Sequence, residues 1–260
     1  MPINLPFDYA RKLTGKSRSR GADKQLGFAL TFVAGAINAG GFLAVQQYTS
    51  HMTGIVSAMA DHLVLGADEL VLDGAGALLS FLAGAACSAV MVNYARRRKM
   101  HSEYALPLLV EAALLLCFGL LGAQISHIDG IFVSVTVMLL CFMMGLQNAV
   151  ITKLSNAEIR TTHITGIVTD IGIELGKLAY WNGAHPEALP KVRADRRRLS
   201  VLASLAGFFF VGGVAGAFGF KHLGYIATVP LALTLMALVI VPIADDLNAL
   251  YQARKEGGRR

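Results

Sequence analysis

The residues best suited to chemistry occur twice. His51-Met52-Thr53-Gly54-Ile55-Val56 returns 112 positions later as His163-Ile164-Thr165-Gly166-Ile167-Val168. Each copy follows a long apolar stretch with an amide near its end: Asn38 in one, Asn148 in the other, with Gln147 beside the second. Imidazole titrates near neutral pH, binds metals and shuttles protons; the alternative for each His is a loop cap bonded to backbone. A Thr-Gly that opens a helix presents free N–H groups and the positive end of a helix dipole, which favour an anion. The alternative is a structural break, because glycine tolerates the needed dihedrals and threonine can cap the following turn. Buried amides either bridge helices or coordinate an ion.

Three carboxylates extend the list. Asp170 and Glu174 are spaced i,i+4 and share one helix face, with Thr169 and Lys177 close by. They form a cation or proton site, or Glu174 and Lys177 form only a surface pair. The first copy has Ala58 and His62 at the matching positions, so the repeat is not chemically symmetric. Glu111 lies one to two turns into another apolar stretch, within ~10 Å of its start. It suits proton coupling, or pairing with Arg97, Arg98 or a backbone group. Catalytic constellations are missing: there is no phosphate-binding glycine loop with a lysine, no Gly-x-Ser-x-Gly and no His-Glu-x-x-His. The acidic stretch with His51, Asp61, His62, Asp68, Glu69 and Asp73 lacks the tight spacing of a metal site. No cofactor and no metal are expected.

The elements that position these groups are membrane helices. The chain is 55% hydrophobic and 15% charged, with a mean hydropathy of +0.55. Spans of about 20 apolar residues, enough for ~30 Å of hydrocarbon, run over Leu26–Val45, Ala75–Tyr94, Ala105–Ile125, Ile131–Ile151, Leu199–Phe220 and Gly224–Ile243. Their backbone must be satisfied internally, and uninterrupted apolar runs fit helices better than the alternating strands of a barrel. The net charge of +6 sits outside these runs, a membrane pattern and not a nucleic-acid footprint. The basic N-terminal residues read as a cytoplasmic tail, not a signal peptide. Cys87, Cys117 and Cys141 lie within apolar spans and read as small buried side chains.

Lys and Arg in the connections set the orientation. The tail before Leu26, Arg96–Lys99, residues 152–198 and the C-terminal tail are basic and go inside; residues 46–74 and Ser126–Gly130 carry neither Lys nor Arg and go outside. Six spans with both termini cytoplasmic fit this pattern. Three spans per half invert the second half, the arrangement of many secondary transporters. Two shorter segments, Met52–Leu65 and Ile164–Tyr180, each start at the repeated motif and are read as re-entrant or surface-lying. Gly35–Ala39, Gly84–Ser88 and Gly212–Gly216 are small-residue packing signals.

The basic tail, the six spans, His51-Met52-Thr53-Gly54, Gly145-Leu146-Gln147-Asn148 and Thr161-Thr162-His163-Ile164-Thr165-Gly166 together make a recognisable set. Over roughly residues 26–243 the chain resembles the YoaK-like family of bacterial inner-membrane proteins. The family often has Asn after the first Thr-Gly; here that position is Ile55. The resemblance implies a membrane location and no particular activity.

The sequence therefore predicts an all-α integral membrane protein of two inverted three-helix repeats, 26–125 and 131–243, between tails 1–25 and 244–260. The expected function is transport of a small molecule or ion across the inner membrane by rocking of the two halves. Its site would use Asn38, His51, Thr53, Gly54, Gln147, Asn148, His163, Thr165, Gly166 and Asp170, with Glu111 and Glu174 coupling protons or ions. An intramembrane enzyme on a lipid-like substrate and a non-transporting sensor or assembly partner are the alternatives. The expected partners are the bilayer and a small molecule or ion, with no nucleic acid; self-association into a homo-oligomer is left open.

Overall fold

A helix is the local way to satisfy backbone N–H and C=O groups where water is absent. The computed structural model describes residues 20–100, 102–125, 131–154, 162–182 and 191–257; these are helices with short connections, and no strand occurs among the described residues. The helices are α1 (Arg20–Val45), α2 (Met52–Val64), α3 (Asp68–Arg97), α4 (Ala105–Ile125), α5 (Ile131–Leu154), α6 (Ile164–Ala179), α7 (Arg196–Leu223) and α8 (Thr228–Gly257). By length and composition, Lys24–Val45, Asp68–Arg97, Val133–Leu154 and Arg196–Asn248 are long and apolar enough to cross a membrane. The 3-10 turn Gly224–Ala227 divides the last of these into α7 and α8, and α4 is apolar over the shorter stretch Ala105–Leu120. Residues 1–19, the Ser126–Gly130 connection, residues 155–161 with Arg160 and Thr161, and residues 258–260 lie outside the described residues.

Several boundaries move for local reasons. The third helix starts at Asp68, not Ala75, and places Asp68 and Glu69 in its first turn, where carboxylates suit the positive helix end. The seventh starts at Arg196, because Asp195 Oδ1 accepts the Arg198 N–H at 2.9 Å as an N-cap. The eighth continues past Ile243 to Gly257, since Ala244–Ala253 contains no helix breaker. One cysteine departs from expectation: Cys141 is buried and Cys87 half-buried, but α4 turns Cys117 outward.

Helices α1 and α5 form the centre: 61% of each apolar window is buried, against 22% for α3. The outer faces of α3 and α7 expose Leu79, Leu82, Val90, Phe208, Val211 and Phe218, surfaces that lipid would cover.

Lipid tails are as apolar as leucine, so helices in a bilayer associate through close packing more than through hydrophobic burial. The sequence provides for this with Phe-x-x-Gly, which occurs at Phe32–Gly35, Phe81–Gly84, Phe142–Gly145 and Phe209–Gly212, the last overlapped by a fifth match at Phe210–Gly213. On the α1–α7 contact, Gly35 faces the carbonyl of Phe209 and Gly212 faces that of Phe32. The α3–α5 contact repeats the arrangement, Gly145 against the Phe81 carbonyl and Gly84 against that of Phe142. A Cβ at any of the four would run into the oxygen it faces.

The direction of each contact can be followed residue by residue. Phe28 stacks on Phe208 with ring centroids 5.3 Å apart, and further along Ala36 meets Gly216 and Phe220 meets Gly40, so α1 and α7 run parallel. Between α3 and α5, Ser134 Oγ donates to Asp73 at 3.1 Å near one end and Lys153 Nζ to Asn93 at 2.9 Å near the other, again parallel. The central pair is antiparallel: Gln147 Nε2 donates to the Leu30 carbonyl at 3.4 Å, and Gly41 meets Leu140. So is α4 with α8: Thr228 Oγ1 donates to the Leu115 carbonyl at 2.9 Å, and Ser102, just before α4, donates its N–H to Asp246 at 2.8 Å.

Gly84→Leu and Gly212→Leu should each force a helix pair apart, at a cost of about 1–3 kcal/mol or more. Gly207→Ala, which has open space around its Cβ, should be neutral or slightly stabilising. Thermal unfolding in detergent measures the difference; equal melting temperatures for all three variants would contradict the packing account.

Candidate functional site

Asn38 sits seven residues before the end of α1, about 10 Å back along the helix. Its Oδ1 nevertheless accepts the Ser50 N–H at 3.3 Å and the Ser50 hydroxyl at 2.9 Å. After Val45 the chain therefore turns back to the level of Asn38, through Gln46 in the left-handed region at φ 56°. Helix α2 then starts at that depth. The second copy is built alike: Asn148 Oδ1 accepts the Thr162 hydroxyl at 2.7 Å, its Nδ2 donates to the Met144 carbonyl at 2.8 Å, and α6 starts at Ile164. In both copies the amide fixes the residue immediately before the His.

His51 and His163 occupy the N-cap positions, yet neither side chain caps its helix. Each lies over the glycine three residues on: a Cβ on Gly54 would fall 2.5 Å from His51 Nδ1, and one on Gly166 2.6 Å from His163 Nδ1. The glycines thus make room for imidazole. The carbonyls of His51 and His163 accept the N–H groups of Ile55 and Ile167 at 3.1 Å, and the Thr162 carbonyl accepts that of Ile164 at 2.9 Å; the other first-turn N–H groups lie at the start of each helix.

Both motifs open into one cavity of about 1160 Å³. The first half contributes Asn38, Ala39, Tyr48, Ser50, His51, Met52, Thr53 and Phe81; the second contributes Asn148, Thr152, Thr162, His163, Ile164 and Thr165, with α7 adding Ala206, Phe209, Phe210, Gly213, Val214 and Ala217. No Lys, Arg, Asp or Glu is among these lining residues. The polar groups come in matched pairs: Asn38 with Asn148, Ser50 with Thr162, His51 with His163, and Thr53 with Thr165.

Other residues singled out from the sequence stand elsewhere. Gly54 and Gly166 support the His rings. Gln147 bridges α5 to α1, and its Oε1 is buried without a partner among the described residues. Asp170 is paired with Arg198 at 3.0 Å. Glu174 is 1% exposed; its Oε1 accepts Lys177 Nζ at 2.8 Å and its Oε2 accepts the Asp195 N–H at 2.8 Å. Together these groups fasten α6 to the start of α7. The Lys177 ammonium, the Asp195 N–H and nearby Arg198 hold the Glu174 carboxyl below its ordinary range. Glu111 lies on α4, away from the cavity lining, and neither Arg97 nor Arg98 pairs with it; neighbouring Arg96 is engaged by Glu103 and Tyr104. No three His, Cys, Asp or Glu side chains cluster in a metal-binding arrangement among the described residues.

Sequence reasoning missed Ser50, Thr162, Tyr48 and the wall aromatics Phe81, Phe209 and Phe210. The recurrences of Phe-x-x-Gly were the available signal: two end three residues before a site Asn, and the others carry the wall aromatics.

Compared with known proteins, the chain belongs to the family described as protein of unknown function (DUF1275), whose profile matches residues 26–241. The YoaK-like resemblance of the motifs agrees with this membership. No curated protein and no solved structure matches the chain.

The Glu174 contacts carry a pH dependence. A carboxyl with a lowered folded pKa stabilises above its unfolded value, and that contribution disappears as pH falls through the folded one. Glu174→Gln should therefore melt below wild type at neutral pH, and the gap should close under acid conditions below the ordinary value of 4.5. A gap that persists unchanged into acid would show that the ionised contacts do not fasten α6.

Proposed function

We propose that this member of the DUF1275 family transports a small molecule or ion across the bacterial inner membrane, through a site between its two Thr-Gly segments. The observation that carries the reading is the single cavity lined by both copies of the motif. Duplicated halves that meet at a midplane site, with helix ends directed into it, are the recurring architecture of secondary transporters.

Contact directions support six crossings in two inverted halves. If α1, α3, α4, α5, α7 and α8 cross in turn, the first and fifth crossings run parallel, as do the second and fourth, while the first opposes the fourth and the third opposes the sixth. The α1–α7, α3–α5, α1–α5 and α4–α8 contacts follow this pattern. Eight crossings would make α1 parallel to α5 and α4 parallel to α8. The basic connections favour a cytoplasmic position for both termini, and in this reading α2 and α6 are re-entrant helices that enter from opposite sides.

The moving bodies differ from the two halves. Phe-x-x-Gly contacts join α1 to α7 and α3 to α5, so each tight pair takes one helix from each half. With α6 fastened to α7 and α2 packed on α3, the bodies that would rock are α1–α6–α7 and α3–α2–α5. The cavity lies between them, and the seam comprises the Gln147–Leu30 and Leu140–Gly41 contacts together with the Asn38–Ser50 and Asn148–Thr162 bonds at the two helix starts.

The lining favours a particular cargo. Without a carboxylate it offers little to a cation, and without Lys or Arg little to a multiply charged anion. Two helix starts with about half a positive charge each, two imidazoles and four aromatic rings suit a neutral or singly anionic molecule with an apolar body.

A thermal-stability screen of small acids, neutral metabolites, amines, salts and metals tests this. A ligand at 100 times its Kd should stabilise the protein by about 2.7 kcal/mol. The shift should vanish in both His51→Ala and His163→Ala, and the same ligand should show protein-dependent flux in proteoliposomes. A stabilising ligand indifferent to both substitutions, or one that binds at the cavity without flux under any gradient, would refute the transport reading.

A further inference from the structure

Away from the cavity, α4 buries a carboxyl group completely. Glu111 is 0% exposed, and neither Oε1 nor Oε2 has a hydrogen-bond partner among the described residues. It lies six residues after Ala105, about 9 Å along the helix. Leu108, Ala112 and Leu115 on its own face are equally buried, as are Ala232, Leu235 and Val239 on the facing α8.

The elements packed on α4 are α8, the 3-10 turn, α5 and α3, and their titratable groups are engaged or remote. Helix α8 has none between Thr228 and Asp245, and Asp246 accepts the Ser102 N–H at the interface's end. The 3-10 turn carries Tyr225, whose ring meets Phe118 edge-on. On α5, Lys153 is bound to Asn93, and Cys141 makes no hydrogen bond to Glu111. On α3, Asp73 is bound to Ser134 and Arg96 to Glu103 and Tyr104; Asp68 and Glu69 lie in the first turn, and Cys87, Tyr94 and Arg97 make no hydrogen bond to Glu111.

A carboxylate without a partner in a medium of low dielectric costs far more than the neutral acid at the same place. We propose that Glu111 is a proton-binding site. It keeps its proton while α4 and α8 are packed together and releases it to water when that interface opens, leaving a carboxylate that hydration stabilises. This goes beyond the transport reading: α4 and α8 lie outside the two bodies that would rock, and proton binding at Glu111 stands or falls without transport.

The test needs no ligand. Infrared spectra of the purified protein at neutral pH should carry a protonated-carboxyl band that moves when glutamate is isotope-labelled and is missing in Glu111→Gln. Hydrogen exchange of α4 and α8 amides, compared at one alkaline pH, should be several-fold faster in wild type than in Glu111→Gln, whose amide cannot ionise. Glu111→Leu supplies the same comparison if the glutamine variant fails to fold. Absence of a labelled acid band at neutral pH overturns the proton site. A band accompanied by equal exchange in wild type and variant overturns release by opening. A cavity screen without hits leaves both readouts intact, so the two readings fail separately.

Discussion

A chain that turns back into an apolar interior must bring its own hydrogen-bond partners, and Asn38 and Asn148 supply them. Unpaired backbone groups at such depth cost several kcal/mol each. One amide accepts both the N–H and the hydroxyl of Ser50; the other accepts the hydroxyl of Thr162. Each bond fixes where the following short helix begins, and so where the His, the Thr and the open first turn face. The cavity exists because two helices start beside a site amide part-way along α1 and α5.

Depth alone would not bring the two starts together. That depends on how closely the long helices approach, which the four Phe-x-x-Gly segments set. Glycine lets a helix press its Cα against a neighbouring carbonyl, where weak C–H···O contacts and dispersion add up. The same segments place Phe81 and Phe209 as walls, and two of them end just before the site amides. One short pattern thus serves packing and site construction together.

Much of this was legible in the sequence. Periodicity and run length gave the long helices, and the repeated motif gave Met52–Val64 and Ile164–Ala179 to within a residue. The pairing of Asn38, His51 and Thr53 with Asn148, His163 and Thr165 followed from repetition. What escaped was interhelical. Asp170 and Glu174 share a helix face with site residues, but nothing local says that Arg198 and the Asp195 N–H, more than twenty positions on, would engage them. Glu111 was expected near Arg97 and Arg98, yet a helix turns each side chain in a direction set by packing, and Arg96 met Glu103 and Tyr104 instead. Chain order also cannot reveal that each tight pair takes one helix from either half.

The two copies share a frame and differ in how they are tied down. In the first, α2 joins α3 through a tight turn at Gly66, with φ 70°. The second half connects α6 to α7 by a longer segment, steadied by two 2.9 Å bonds between Asn182 and Val192 and by the ion pairs of Asp170, Glu174, Lys177 and Arg198. A short covalent tether holds at any pH or salt concentration. Ion pairs weaken as salt screens them and as carboxylates protonate. Helix α2 is therefore tied to α3 by chain geometry and α6 to α7 chiefly by electrostatics, so the two sides of the cavity respond differently to salt and pH.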